Sequence, residues 1–289
     1  MVEVTTVSVI IPVLNRAAIV GRAIMSALSQ QLPSAGWSTN VVVVDDGSSD
    51  DLATTLEPFG ERVLLVRHAH NRGAAAARNT GIAASDGDLI AFLDSDDLWL
   101  PGKLKTQIDF MLRYRYPASC TAFLLGRSGL PEIASPAFET GPLGLAELAW
   151  GCFVSPGSTL IFERSVFDEI GPLDTALQRL EDWDWLLRYT QRHTLGFFAQ
   201  PLARIEASSY NQLNESLEAL AQLRRKHIGQ MAGSVRRHFA AALDLERAAA
   251  HWRQGDIVAA SWPFFKSVIR SPVRHAGVAA LLHNRLASG

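Results

Sequence analysis

Five apolar residues, Leu89 to Leu93, run without interruption into Asp94-Ser95-Asp96-Asp97 and then Leu98-Trp99. A short unbroken apolar run bounded by turn-forming residues marks a strand buried on both faces of a covered sheet. Three carboxylates at the tip of such a strand are costly to desolvate unless a positive group meets them. A hard divalent cation would do so, because Mg²⁺ is commonly held by one or two carboxylates together with substrate phosphates. A solvated acidic loop is the competing reading of the same residues. Either way, the chain has to build a buried sheet with an acidic strand tip.

The preceding residues repeat the pattern. Val7–Pro12 is β-branched and stops at a proline that cannot donate to a ladder, Asn40–Val44 is a second apolar run, and Val63–Val66 is a third. Helical stretches separate them: Ala17–Leu28, with Asn15 where an N-cap is favoured, and the alanine-rich Ala74–Ala84. Between them, the Asp45–Asp51 turn offers Asp and Ser side chains that cap the next helix. Strands alternating with helices predict βαβ units and a mostly parallel central sheet flanked by helices. Each strand ends in a polar loop: Asn15 after the first, Asp45-Asp46 after the second, Asp94 and Asp96 after the fourth. Ligands of open α/β sheets bind beyond the carboxyl ends of the strands, so these loops are expected to share one crevice.

Further along, the sequence predicts a helix over Pro101–Met111 with Pro101 in its first turn, on which Asp97 is read as a cap or a solvated charge. A strand over Ser119–Leu125, a loop over Gly126–Pro142 and a helix over Leu143–Trp150 follow. Ser158–Phe162 reads as a strand, and Arg164–Ile170 as a helix closed by Gly171-Pro172. Glu181, Asp182 and Asp184 crowd a helix N-terminus, where the dipole favours negative charge. Strands are expected at Leu195–Ala199 and Leu202–Ile205, on either side of Pro201. Helices then cover Asn211–Val235, a stretch to about Gln254, Ile257–Ile269 and a last short piece after Ser271-Pro272. The expected division is a catalytic domain over 1–208, with halves 1–100 and 101–208, and a helical region over 209–289.

A length of 289 residues with 48% hydrophobic and 19% charged composition suits one large α/β domain or two modest ones. The net charge of −2 hides an asymmetry: residues 222–289 hold 11 Lys+Arg against 3 Asp+Glu, and residues 1–221 hold 16 against 26. An acidic body with a basic tail suggests a tail facing an anionic surface. Basic residues interleaved with Trp252, Trp262, Phe264 and Phe265 suit a helix lying at a membrane interface. A helical cap packed on the catalytic domain, covered in a homodimer, is the alternative. Nucleic acid is not an expected partner of a chain that is acidic overall. Two cysteines, Cys120 and Cys152, fit a reducing compartment. With no signal-like N-terminus and no long apolar run, the expected location is the cytoplasm or the inner face of its membrane.

Five segments together resemble family 2 glycosyltransferases of the GT-A fold: 7–16 VSVIIPVLNR, 41–51 VVVVDDGSSDD, 71–81 NRGAAAARNTG, 89–99 LIAFLDSDDLW and 180–188 LEDWDWLLR. Their joint order and spacing, over residues 7 to about 205, carry the resemblance. It implies a GT-A nucleotide-diphospho-sugar transferase fold with a C-terminal helical extension. It also implies that Pro12, Val13, Leu14, Asn15 and Arg16 line the nucleotide pocket, and that Asp46 accepts the imide N–H of a base, usually uracil. Asn71, Gly73 and Arg78 would border the nucleotide, with Asp94 and Ser95 at the ribose or the metal shell and Asp96 ligating Mn²⁺ or Mg²⁺. Asp182 would be the general base, with Trp99, Glu181 and Trp183 on the acceptor side. Leu14 stands where the family often has an aromatic residue.

The chemistry is consistent with that resemblance. A diphosphate leaving group develops negative charge that a divalent ion at Asp94 and Asp96 offsets as a Lewis acid. The acceptor hydroxyl needs a carboxylate to take its proton. The expected partners are a nucleotide-sugar donor, with UDP as its nucleotide, and a glycan or polyprenyl-linked acceptor in polysaccharide or glycoconjugate synthesis. A phosphatase-like hydrolase using the same Asp-x-Asp, or a non-catalytic nucleotide-sugar-binding module, is the alternative. A dehydrogenase is disfavoured by the lack of GxGxxG after the first strand.

Overall fold

The computed structural model describes residues 5–127, 130–136, 138–206 and 212–271. Its N-terminal half is the predicted alternation. Strands β1 (Thr5–Val13), β2 (Trp37–Asp45), β3 (Val63–Arg67) and β4 (Leu89–Phe92) are joined through helices α1 (Ala17–Leu28), α2 (Leu52–Leu56) and α3 (Ala74–Ala83). They pair in parallel in the order β3-β2-β1-β4, with Ile10 opposite Val42 on one side and Phe92 on the other. Strands β1, β2 and β4 are buried on both faces, β3 is the half-exposed edge, and alternate residues serve opposite layers. Ile10, Val42, Val44, Ile90 and Phe92 join one apolar cluster, while Val9, Ile11, Val41, Val43 and Ala91 join the other.

The second half makes the sheet mixed rather than mostly parallel. It comprises β5 (Leu98–Trp99), α4 (Lys103–Tyr114), β6 (Ala118–Arg127), β7 (Leu130–Ser135), β8 (Gly141–Leu143), α5 (Leu145–Leu148) and α6 (Pro156–Thr159). Then come β9 (Ile161–Glu163), α7 (Arg164–Ile170), α8 (Glu181–Tyr189) and β10 (Leu195–Glu206). β9 is antiparallel to both β4 and β6, β10 is parallel to β6, and β7 and β8 pair antiparallel with β6 and β10. The path β3-β2-β1-β4-β9-β6-β10-β5 places the tip of β4 at the middle of the sheet.

Several boundaries differ from expectation, each for a local reason. Helix α4 starts at Lys103, because Gly102 adopts a left-handed conformation (φ 83°) ahead of it and leaves Pro101 in the preceding turn. Within the stretch 126–142, expected as a loop, β7 and the start of β8 are strands: cross-strand pairing, such as Leu125 opposite Ile133, orders their Gly- and Pro-rich sequence. The helix expected over 143–150 shrinks to the single turn of α5. Ser158 lies on the helical turn α6 rather than in a strand. The two strands expected around Pro201 are one, with register shifts on both sides of that proline.

The expected helix over 211–235 is two, α9 (Leu213–His227) and α10 (Gly233–Arg253), separated where Met231 and Ala232 are extended. Gly233, at φ 53°, takes the backbone a bulkier residue would resist. Helix α11 (Ile257–Arg270) follows. Asn211 and the piece after Ser271 lie outside the described residues. Ala219 and Leu223 of α9 and Phe239 of α10 share a cluster with Trp183, Leu186 and Leu187 of α8, so the helices back the face on which α8 sits.

Candidate active site

The loops beyond β1, β2 and β3 are tied together by side chains the sequence places at strand tips. Asn15, left-handed at φ 53°, donates its backbone N–H to Ser48 Oγ at 2.9 Å and accepts from Ser49 N–H at 2.8 Å through its own Oδ1. It does not cap α1. That task falls to Asp50, whose Oδ2 accepts from Ala17 N–H at 2.7 Å across the two loops. Gly47 allows the next contact: at φ +81° it lies so close to the 70–71 backbone that a Cβ would meet His70 C at 2.6 Å.

Asp46 fastens the start of α3. Its Oδ1 accepts from Arg72 N–H at 2.9 Å and sits 2.7 Å from His68 Nδ1, and its Oδ2 accepts from Gly73 N–H at 2.8 Å. The residue is 4% exposed. Any base contact by Asp46 therefore has only one remaining Oδ2 lone pair. Asn71 Oδ1 also accepts from Gly73 N–H, at 2.9 Å, so both predicted residues of this turn shape it.

The acidic tip of β4 meets two arginines. Arg16, at the entry to α1, pairs with Asp96. Arg78, buried in α3, donates through Nη2 to Asp94 Oδ1 at 2.7 Å and through Nη1 to Glu181 Oε1 at 2.5 Å. The guanidinium lies 5.5 Å from the centroid of the Phe92 ring. The carboxylates beside it hold its proton more firmly than usual, against the cost of burial. The enclosure of Asp94 raises its pKa, opposed by Arg78 and reinforced by Asp96 and Glu181.

Asp97, expected as a cap or a solvated charge, is 4% exposed. It accepts from the Ser158 hydroxyl and, at 2.9 Å, from Glu206 N–H at the end of β10. Burial and the repulsion of Asp94 push its pKa up to about 8. Ser158 Oγ in turn accepts from Asp94 N–H at 3.0 Å, so one hydroxyl joins both aspartates. Its neighbour Gly157 lies against the same carboxylate: a Cβ there would come within 2.4 Å of Asp94 Oδ2. Ser95, also buried, lies between them on the loop.

Beyond Arg78, the first turn of α8 places Glu181 and Asp182. Glu181 is 7% exposed and faces Arg78. Asp182 is half-buried, and its Oδ1 accepts its closest polar contact from Trp183 N–H at 2.7 Å. Burial, then the adjacent Glu181, raise its pKa to about 7, with Arg78 opposing. A carboxylate poised there can take a proton from a hydroxyl at neutral pH.

Three predicted acceptor-side residues face inward. Trp183 is fully buried, donates Nε1–H to Leu148 O at 2.8 Å and packs edge-on to Phe239. Trp99 is 3% exposed and donates Nε1–H to Ser158 O at 2.8 Å, with the buried Lys103 amine 4.5 Å from its ring centroid. The two indole rings lie in the core, where large aromatic surface contributes most, and Glu181 is taken up by Arg78. Of the N-terminal set, Val13 is buried and its carbonyl accepts from Asp46 N–H at 2.8 Å, Pro12 is half-buried, and Leu14 is 36% exposed. Gly157, Ser158 and a buried Asp97 are additions of the fold to the site expected from the sequence. The Ser155-Pro156-Gly157-Ser158 string is a turn signal that points to them.

The residues that could hold a cation are Asp94 and Asp96, whose side chains are 37% and 25% exposed. Both are hard oxygen donors on one loop, and Asp96 already attracts a cationic side chain, so the pair fits a divalent ion completed by phosphate oxygens and water. Among the described residues no group of three His, Cys, Asp or Glu side chains is arranged for a metal. His68 is held between Asp46 and Thr80, and His193 pairs with Glu169.

The model of the family described as "Glycosyl transferase family 2" matches residues 8–171, more than half of the 289. Asp182 lies beyond that segment. An uncharacterized glycosyltransferase of Haemophilus influenzae is 30% identical over 190 residues, covering 64% of this chain and 62% of the relative. The Escherichia coli protein WfgD, a UDP-Glc:alpha-D-GlcNAc-diphosphoundecaprenol beta-1,3-glucosyltransferase, is 40% identical over 108 residues, covering 37% and 41%. The chain thus spans less than two thirds of the length of these relatives. Among solved structures, Staphylococcus aureus TarS 1-349 in complex with UDP-GlcNAc superposes with a TM-score of 0.63 at 14% identity, over 94% of this chain and 92% of that one. At that identity the likeness speaks for the fold.

Proposed function

Since the chain belongs to glycosyl transferase family 2, we propose that it moves a sugar from a nucleotide-diphosphate donor to a hydroxyl of a glycan or polyprenyl-linked acceptor, with inversion, in polysaccharide or glycoconjugate synthesis. The observation that carries the reading is the position of Arg78. One of its nitrogens holds Asp94 on the acidic β4 loop, and the other holds Glu181, next to Asp182, on α8. The loop proposed to hold the cation and the helical turn that carries the proposed base are thereby joined through one side chain.

In the proposed reaction the 12–16 and 71–73 segments form the nucleotide wall, with Asp46 holding the second of them in shape. UDP is the proposed nucleotide, supported by the names of the E. coli relative and the S. aureus complex. Mn²⁺ or Mg²⁺ held by Asp94 and Asp96 would supply Lewis-acid neutralisation of the diphosphate when bound. Asp182 accepts the proton of the acceptor hydroxyl as its oxygen bonds to the anomeric carbon and the bond to the diphosphate breaks. In-line displacement from the face opposite the leaving group inverts the anomeric centre. Arg78 pairs with Glu181, the negative charge next to Asp182. Working on a lipid-linked acceptor, the protein would act at the cytoplasmic face of the membrane.

Thermal melting in a panel of UDP- and GDP-sugars, with and without Mn²⁺, tests this reading, since a ligand that binds only the folded form raises Tm. Stabilisation by a UDP-sugar that grows with Mn²⁺ is expected. Melting unchanged by every nucleotide-sugar would overturn it.

A further inference from the structure

We propose that α11 is the surface by which this protein lies on an anionic lipid bilayer. Four of its residues, Val258, Trp262, Phe265 and Ile269, are 86%, 60%, 53% and 62% exposed. Their spacing of four, three and four places them in one row along a helix. The opposite side is the packed one: Ala260, Pro263 and Ser267 are buried, and the Ser267 hydroxyl donates to Ala241 O of α10 at 2.7 Å. Exposed apolar residues scattered singly are ordinary, but a continuous row containing a Trp and a Phe is not.

The charge beside the row selects the occupant. Past its N-cap Asp256, α11 carries no acid; of its two cations Arg270 pairs with Asp244 of α10, which leaves Lys266 beside the row. The Lys266 amine lies 5.1 Å from the Trp262 ring centroid, which places a cation at the edge of the apolar row. Trp252 and Arg253, at the end of α10, are exposed as well. Residues 222–289 hold 11 basic against 3 acidic residues. A two-fold pairing of this face with a second copy would bring like charges together. An anionic headgroup layer meets them, while the apolar row enters the acyl boundary. No helix among the described residues is long and apolar enough to cross a membrane, so the contact is one of lying on the surface. This inference rests on the surface alone and stands or falls independently of sugar transfer.

Sedimentation of the full chain with phosphatidylglycerol vesicles and with phosphatidylcholine vesicles tests it. The protein is expected to sediment with the former, to be released by added salt, and to stay largely in solution with the latter. Val258→Asp and Phe265→Glu should each weaken phosphatidylglycerol binding by about tenfold without lowering Tm. The proposal is overturned if the wild type stays in the supernatant with phosphatidylglycerol, or if both variants bind as the wild type does. It is equally overturned if the wild type is a dimer in light scattering that these variants dissociate.

Discussion

Nη1 of Arg78 lies 2.5 Å from Oε1 of Glu181, across 103 residues of sequence. Glu181 is nearly enclosed, and the second arm of the guanidinium holds Asp94. One buried cation therefore compensates carboxylates from two separate elements, and the candidate site is also a structural joint. Removing one member of a buried charge group leaves the others uncompensated, which costs more than the group contributes when complete.

Arg78→Ala is accordingly expected to lower unfolding free energy by about 3 kcal/mol or more. Arg78→Lys should fall between, because an ammonium keeps the charge but lacks the fork that reaches both carboxylates. Urea denaturation of the two variants checks the order.

The pH profile should report Asp182. Its carboxyl titrates at about 7 in the fold, against 3.8 ordinarily. Transfer should therefore fall about tenfold per pH unit below that point and level off above it. Glu181→Gln removes the neighbouring negative charge and should move this limb to lower pH. For stability the sign is opposite. Folding favours the protonated form of Asp182, so its contribution is greatest below the ordinary carboxylate range and is lost as pH rises through about 7. Initial rates and urea midpoints across pH check both directions.

Gly157 and Ser158 should act on the loop proposed to hold the cation, through Asp94 and Asp97. Gly157→Ala places a methyl within 2.4 Å of Asp94 Oδ2, and Ser158→Ala removes the hydroxyl shared by Asp94 and Asp97. Each is expected to weaken Mn²⁺ affinity about 10- to 100-fold. Direct Mn²⁺ titration measures this apart from turnover.

The N-terminal sheet and the loop residues at its tips were legible because burial on both faces, β-branched runs and Asp/Asn turns are local signals. Helix α1 and the strand before each polar loop follow from them. What was not legible depended on partners distant in sequence. The Gly- and Pro-rich segments Leu130–Ser135 and Gly141–Leu143 are strands because β6 and β10 lie beside them. Asp97 looks like any turn aspartate until Ser158 and Glu206 close over it. The tryptophans at 99 and 183 carry no mark in the sequence that separates a sugar platform from a core residue.

Trp183 illustrates the consequence. Trp183→Phe should cost about 1 kcal/mol of stability through the lost bond to Leu148 O, with the acceptor KM unchanged. An acceptor-facing ring would show the reverse. Unfolding and steady-state kinetics together separate the two.

The division of labour between β4 and α8 is tested most directly by comparing Asp182→Asn with Asp96→Ala for transfer rate and donor affinity in Mn²⁺. Asp182→Asn is expected to lower kcat about 100- to 10,000-fold while donor Kd stays at the wild-type value, and Asp96→Ala to weaken the donor as well. Transfer at the wild-type rate by the Asp182→Asn protein would contradict the account.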